Sequence, residues 1–347
     1  MGMKSQQLLL FILLGIISCH KPEMGTNKKS VWIKNALHSI SSNEFPRIKA
    51  ISWWHENFDR SQLRIDSSPE SIAAYKTGIA APEFISTPRF DHQKLIAPTV
   101  GIYHAAFPDF GGTEDIVSSE RIEEFESLAG KEISWAYFSN NWYAAIEFPA
   151  QAVNTIINAG KTPFIRMMPR SNFDEGGPDP IYTMQKIIDG DFDTAFTQWA
   201  IHAKNTGKPL LVEFGTEVNG NWFPWNGQFN GAGETTYGLP ALADGPERFK
   251  DAYRHIIDIF NENGVNNITW FFHIDAYGEP TTDWNKISHY YPGDEYIDWL
   301  GVSIYGPQEK GETYQEFTEI MNDIYPQLIH LSEKPIAVLE FAITELE

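Results

Sequence analysis

Two glutamates could carry a reaction in this chain. Glu217 opens the segment EVNGNWFPWNG, just past the apolar run Leu210 to Phe214, and Glu340 lies in KPIAVLEF near the C-terminus. They are 123 residues apart (340 − 217), so only the fold can bring them together. Two carboxyl groups facing each other across a cleft can break a glycosidic bond, one protonating the leaving oxygen while the other attacks or activates water. The proton donor must keep its proton near neutral pH, and both partial burial and a second carboxylate raise its pKa. Structural ion pairs also use strand-end acids, so spacing alone leaves both readings open.

Short apolar runs alternate with amphipathic helical stretches along most of the chain. The runs Ile48 to Trp53, Thr99 to His104, Ile133 to Phe138, Thr162 to Met168, Leu210 to Phe214, Ile268 to His273, Ile297 to Ile304 and Pro335 to Phe341 read as eight strands. Helices lie between them, as in GPERFKDAYRHIIDIFNENG, where Pro246 suits a first turn and Gly264 a C-terminal stop. Strands apolar on both faces and separated by helices need a parallel sheet with helices outside it. Eight of them predict a (β/α)8 barrel, and the absence of a Gly-rich phosphate turn after the first strand argues against a dinucleotide fold. Chemistry in such barrels sits at the C-terminal strand ends. The polar residues placed there are Trp54 to Asn57, His104, Ser139 to Trp142, Arg166, Arg170, Glu217 to Trp222, His273 to Asp275, Tyr305 and Glu340.

A formal charge of −20 argues against a nucleic-acid or anionic-membrane partner, because phosphate binding needs clustered Lys and Arg. Aromatic residues make up 14% of the chain, enough to fill a core and still line a site for weakly polar ligands such as sugars. The N-terminus reads separately: Lys4 precedes an apolar run from Leu8 to Ile17, too short for a membrane span and suited to a secretory signal. It ends in GIISC, which resembles a bacterial lipobox with Cys19, the only cysteine, as the lipidated residue. Residues 1–19 are thus expected to be a lipoprotein signal peptide and 20–30 a linker. The protein would then be lipid-anchored in a bacterial cell envelope and touch the membrane through that anchor alone. HENFD (His55 to Asp59) lacks the last His of a zinc-protease motif, and GVSIY has Tyr305 where a nucleophile elbow needs Gly.

The letters around the two glutamates resemble glycoside hydrolase family 26, best known for β-mannanases. EVNGNWF resembles its acid/base segment, KPIAVLEF its nucleophile strand and WLGVSIYG the strand before that. VGIYHAAFPDFGG, WAYFSNNW and IRMMPRS are weaker matches. The resemblance implies that Glu217 is the acid/base, Glu340 the nucleophile and Tyr305 a contact of the nucleophile. It implies that Trp222, Trp53, Asn219, Trp142 and Arg166 bind substrate, with Trp53, or Trp54 beside it, flooring the cleavage subsite. A retaining mechanism without metal or organic cofactor follows from it. Thr216 departs from the family, which usually has His there, and so puts the exact glycan in question. Glu213 is also unexpected; strand alternation puts it on the face of Glu217, where Arg166 on the neighbouring strand could pair with it.

In the family's order the strand bearing Glu217 is the fourth and that bearing Glu340 the seventh. The chain therefore lacks helix 7, strand 8 and helix 8 at its C-terminal end. Residues 31–90 contain helix-like VWIKNALHSI, the strand Ile48 to Trp53 and a helix opened by a Ser67-x-x-Glu70 capping box. They are expected to supply those elements in a circularly permuted barrel spanning 31–347, with 95–347 giving units 1 to 6 and strand 7. The expected activity is endo-acting cleavage of β-1,4-mannan. A β-1,3-1,4-glucanase or other β-glycanase of the family, or a non-catalytic glycan-binding lipoprotein, would use the same cleft.

Overall fold

The computed structural model describes residues 27–345, apart from 59 and 310. Cys19 and the proposed signal segment lie outside the described residues. Eight strands form the barrel: β1 (Ile48–Trp54), β2 (Ile102–Phe107), β3 (Trp135–Asn141), β4 (Thr162–Met168), β5 (Leu210–Phe214), β6 (Ile268–Asp275), β7 (Trp299–Tyr305) and β8 (Ile336–Ala342). Each pairs in parallel with its neighbours, and β1 pairs with both β8 and β2, which closes the sheet into a (β/α)8 barrel. Closure removes the open strand edges that a seven-stranded wall would leave.

Helix α1 (Lys28–Ser41) precedes β1, and α2 (Pro69–Ile79) follows it. The Asn27 side chain caps the first by accepting from Ser30 N at 2.7 Å. The second is capped by Ser68, one residue later than the predicted box, with Pro69 in its first turn. Strand β2 begins three residues after the predicted start, because Gly101 turns the chain at φ +94° before it. His104 therefore falls mid-strand. It is buried against α2, with Tyr75 OH 2.9 Å from its Nε2, and takes no part in the barrel mouth.

Aromatic rings plug the N-terminal end of the barrel. Tyr103, Trp135, Phe164, Phe271 and Trp299 pass contacts round a closed circle, with successive centroids 4.7 to 6.4 Å apart. Each offers a large apolar area, and together they fill this end of the barrel. Arg166 and His273 follow two residues after Phe164 and Phe271 on their strands and so lie above this layer.

Strand β8 carries a bulge. Val338 pairs with Val302 but Glu340 with the very next residue, Ser303, and the pairing to β1 slips over the same stretch. One extra residue lets Leu339 and Glu340 both turn inward where alternation would allow one. Leu339 fills the space at Gly301, where an added Cβ would lie 2.5 Å from Leu339 Cδ1 and 3.3 Å from His273 Cβ. Gly301→Val is expected to destabilise the fold by about 1–3 kcal/mol through overpacking, with Leu339→Ala in the same chain recovering part of it. Urea denaturation of the two variants measures this, and an unchanged midpoint for Gly301→Val would contradict the packing.

Candidate active site

Glu217 sits in the turn after β5. Gly215 has φ +61° and Glu217 itself φ +50°, a left-handed conformation uncommon for a residue with a side chain and found mostly where a site demands it. A Cβ on Gly215 would meet Phe249 and Trp225 within 2.9 Å, so glycine is needed there for space as well. The rest of EVNGNWFPWNG holds the turn in place. Trp225 Nε1 donates to Thr216 O at 2.7 Å, and Asn226 Nδ2 donates to Glu217 O at 2.8 Å and to Val218 O at 3.1 Å. Trp222 curls back so that its Nε1 donates to Glu217 Oε2 at 2.8 Å.

Glu340 receives stronger support. Arg166 Nη2 lies 3.1 Å from Oε1 and Tyr305 OH donates to Oε2 at 2.8 Å, while Tyr137 OH lies 3.3 Å from Oε1 and donates its one proton to the nearer Glu213 Oε1. Glu217 and Glu340 are 7% and 4% exposed and line one cleft of about 660 Å³ at the C-terminal strand ends. Burial and the nearby Asp275 push Glu217 up to about 7, against the charge of His273 and a hydrogen bond from Ser303. Burial also pushes Glu340 up to about 7, Arg166 opposing and Glu217 adding to the rise. The two groups interact, so only one needs to hold a proton. The contacts assign it: Glu340 has the Arg166 guanidinium and the Tyr305 hydroxyl, a charged and a neutral donor that favour the anion, while Glu217 has the neutral Trp222 indole and Ser303 hydroxyl.

Arg166 is the charge that makes this interior possible. Besides Glu340 it contacts Glu114 at 2.7 Å and Glu213 at 3.4 Å, and its guanidinium lies over Trp54 at 4.9 Å. The Glu213 partner expected from strand alternation is therefore in place, and Glu213 has a second, His273 Nδ1, at 2.8 Å.

The other expected substrate contacts divide. Trp222, Tyr305 and Arg166 line the cleft with the glutamates. Trp53 does not: it is 0% exposed, faces outward against Trp32, Tyr75 and Phe341, and donates from Nε1 to Leu63 O. Strand alternation gives the inward place to Trp54, which lines the cleft and stacks on Phe107 at 4.1 Å. Trp142 is likewise 0% exposed, packed on Tyr182, Phe196 and Phe214. Asn219 is buried as a tie between loops: its Oδ1 accepts from Asp275 N at 2.8 Å and its Nδ2 donates to Asp275 O at 2.9 Å. Tyr137 and Glu114 were not singled out by the sequence. Tyr137 sits mid-strand within an apolar run, and Glu114 comes from a loop whose course no local pattern gives.

Carboxyl groups dominate the cleft wall: Glu114, Glu175, Asp275, Glu279 and Glu312 join the central pair, with Arg166 the one basic group lining it among the described residues. Phe58, Phe173 and Tyr277 stand at the rim, 44 to 50% exposed. Such a surface repels anionic polymers and offers rings for the flat faces of neutral sugars.

The chain is similar to several known proteins. Residues 181–338 match glycosyl hydrolase family 26. Endoglucanase H of Acetivibrio thermocellus is 27% identical over 234 residues, 66% of this chain and 23% of that protein. A mannan endo-1,4-beta-mannosidase A and B of Caldalkalibacillus mannanilyticus is 27% identical over 143 residues, 41% of this chain and 23% of that protein. The chain thus spans about a quarter of the length of the curated relatives it matches. Among solved structures, the catalytic domain of a Bacillus sp. JAMB-750 family 26 endo-beta-1,4-mannanase superposes with a TM-score of 0.47 at 14% identity, covering 92% of this chain and 74% of that one.

Proposed function

We propose that this chain, which belongs to glycosyl hydrolase family 26, hydrolyses internal β-1,4 linkages of mannan with retention of configuration. The observation that carries the reading is the buried carboxyl pair in one cleft, with Glu340 cradled by Arg166 and Tyr305 and Glu217 left to hold the proton. Glu340 attacks the anomeric carbon while Glu217 protonates the departing sugar oxygen, and Glu217 then takes a proton from the water that releases the glycosyl-enzyme. Trp222 fixes the Glu217 carboxyl, and Trp54 presents its ring beside the nucleophile's arginine. The acidic, ring-bordered cleft suits a neutral polysaccharide.

Relatives named as a mannosidase and as an endoglucanase leave two neutral polymers to separate. Incubation with galactomannan is expected to release manno-oligosaccharides, and lichenan is expected to stay intact. Release from lichenan alone would move the assignment to a β-1,3-1,4-glucanase, and binding without any release would make the protein a glycan-binding module.

We also infer a circular permutation of the family's order. The unit α1–β1–α2 fills the place between β8 and β2, and the Asn27 side chain hydrogen-bonds Glu345, so the two ends of the described chain are neighbours, as joining them elsewhere requires. Lipidation at Cys19 and anchoring to the cell envelope remain part of the proposal, on the lipobox-like GIISC alone. Loss of radiolabelled palmitate incorporation in Cys19→Ala tests that.

A further inference from the structure

Beneath Glu217 runs a buried line of polar side chains contributed by three strands. Glu213 Oε2 on β5 lies 2.8 Å from His273 Nδ1 on β6, and Nε2 of the same ring lies 2.9 Å from Ser303 Oγ on β7. Ser303 lines the cleft with Glu217, and its hydroxyl lowers the pKa of the Glu217 carboxyl. All three residues of the line are at most 2% exposed. Thr216 Oγ1 lies beside the same nitrogen as Glu213, 2.8 Å from Nδ1.

The direction of the hydrogen bonds follows from charge. Burial alone would keep His273 neutral, but the charge and hydrogen bond of Glu213, with Glu340 and Glu217 nearby, raise its pKa. For Glu213, burial favours the acid, and His273, Arg166 and the Tyr137 hydroxyl more than reverse that. An imidazolium donates from both nitrogens, to Glu213 and to Ser303 Oγ. The one hydroxyl proton of Ser303 is then free to point at Glu217.

We propose that Ser303, His273 and Glu213 act as positioning residues for the acid/base step, the serine hydroxyl holding Glu217 beside the Trp222 indole and stabilising the carboxylate it becomes between the two half-reactions. The proposal rests on the acid/base role of Glu217. Asp275, Arg166, Tyr137, Tyr305 and Glu340 are the other charged or titratable groups facing this line.

Profiles of kcat/KM against pH on the polysaccharide the protein cleaves, for the parent, Ser303→Ala, Ser303→Thr and His273→Gln, test this. Glycosylation needs Glu217 protonated, so its pKa sets the alkaline limb, and Glu340 sets the acid limb. Ser303→Ala removes a donor to the anion and is expected to move the alkaline limb up by about one pH unit, leaving the acid limb in place. Ser303→Thr keeps a hydroxyl and should restore it. His273→Gln removes a charge that lowers both carboxyl groups and should move both limbs up. Lower activity in Ser303→Ala with an unmoved alkaline limb would overturn the proposal and leave the serine a packing role. Titration of the full chain by ¹³C NMR of Cδ-labelled glutamate, with Glu217→Gln assigning the signal, reads the same shift without turnover. If the parent cleaves no β-glycan, the proposed function falls, while an unmoved Glu217 titration in Ser303→Ala would separately overturn the line.

Discussion

Glu340→Ala is expected to lower polysaccharide hydrolysis by about four orders of magnitude or more, because no other group can form the glycosyl-enzyme. Azide should enter the space the carboxylate leaves and attack from the same face, giving a glycosyl azide of inverted configuration. Glu217→Ala should behave differently. Its loss on polysaccharide is expected to be about 10²–10⁴-fold, the value of general acid catalysis, while an aryl glycoside with an acidic phenol needs no protonation and should lose much less in the first step. Azide would then intercept the glycosyl-enzyme and give the retained product. Equal losses on both substrates in Glu217→Ala would contradict the assignment of roles. So would substantial activity remaining in Glu340→Ala.

Arg166→Met is expected to cost the fold about 3–5 kcal/mol, the usual result of removing one partner from a buried charge cluster. The guanidinium is 3% exposed and stands between Glu114, Glu213 and Glu340, whose own side chains are 0 to 13% exposed. Without it Glu340 loses the cation that opposes its desolvation and would hold a proton at neutral pH, so activity should fall with stability. Urea denaturation measures the first effect. A loss under about 1 kcal/mol would mean that water or a relaxed side chain compensates the carboxylates, which the buried geometry does not allow.

The sequence was most legible where one physical constraint acted alone. The central strands Thr162–Met168 and Leu210–Phe214 match their apolar runs to the residue, because strands buried on both faces need continuous hydrophobicity. The place of Ile48 to Trp53 between the last strand and the strand of His104 followed from counting a wall that had to close. Legibility failed where two residues competed for one face. Trp53 and Trp54 are adjacent and identical, and only the register against Ala106 and Phe107 turns Trp54 inward. The EVNGNWF motif marks Asn219 as a substrate contact, whereas in the fold its amide binds the backbone of Asp275, a partner 56 residues away. The same holds for the line from Glu213 to Ser303, whose members come from three strands and meet only in the closed barrel. The bulge that turns Glu340 inward leaves no mark in KPIAVLEF.

The central claim is that Glu217 and Glu340 cleave a β-glycan by double displacement. The anomeric configuration of the first product, followed by ¹H NMR during hydrolysis of manno-oligosaccharides, tests it most directly. The β-anomer is expected to appear first, and the α-anomer to grow in later at the rate of mutarotation. Immediate appearance of the α-anomer would mean direct attack by water with inversion, and would contradict the account.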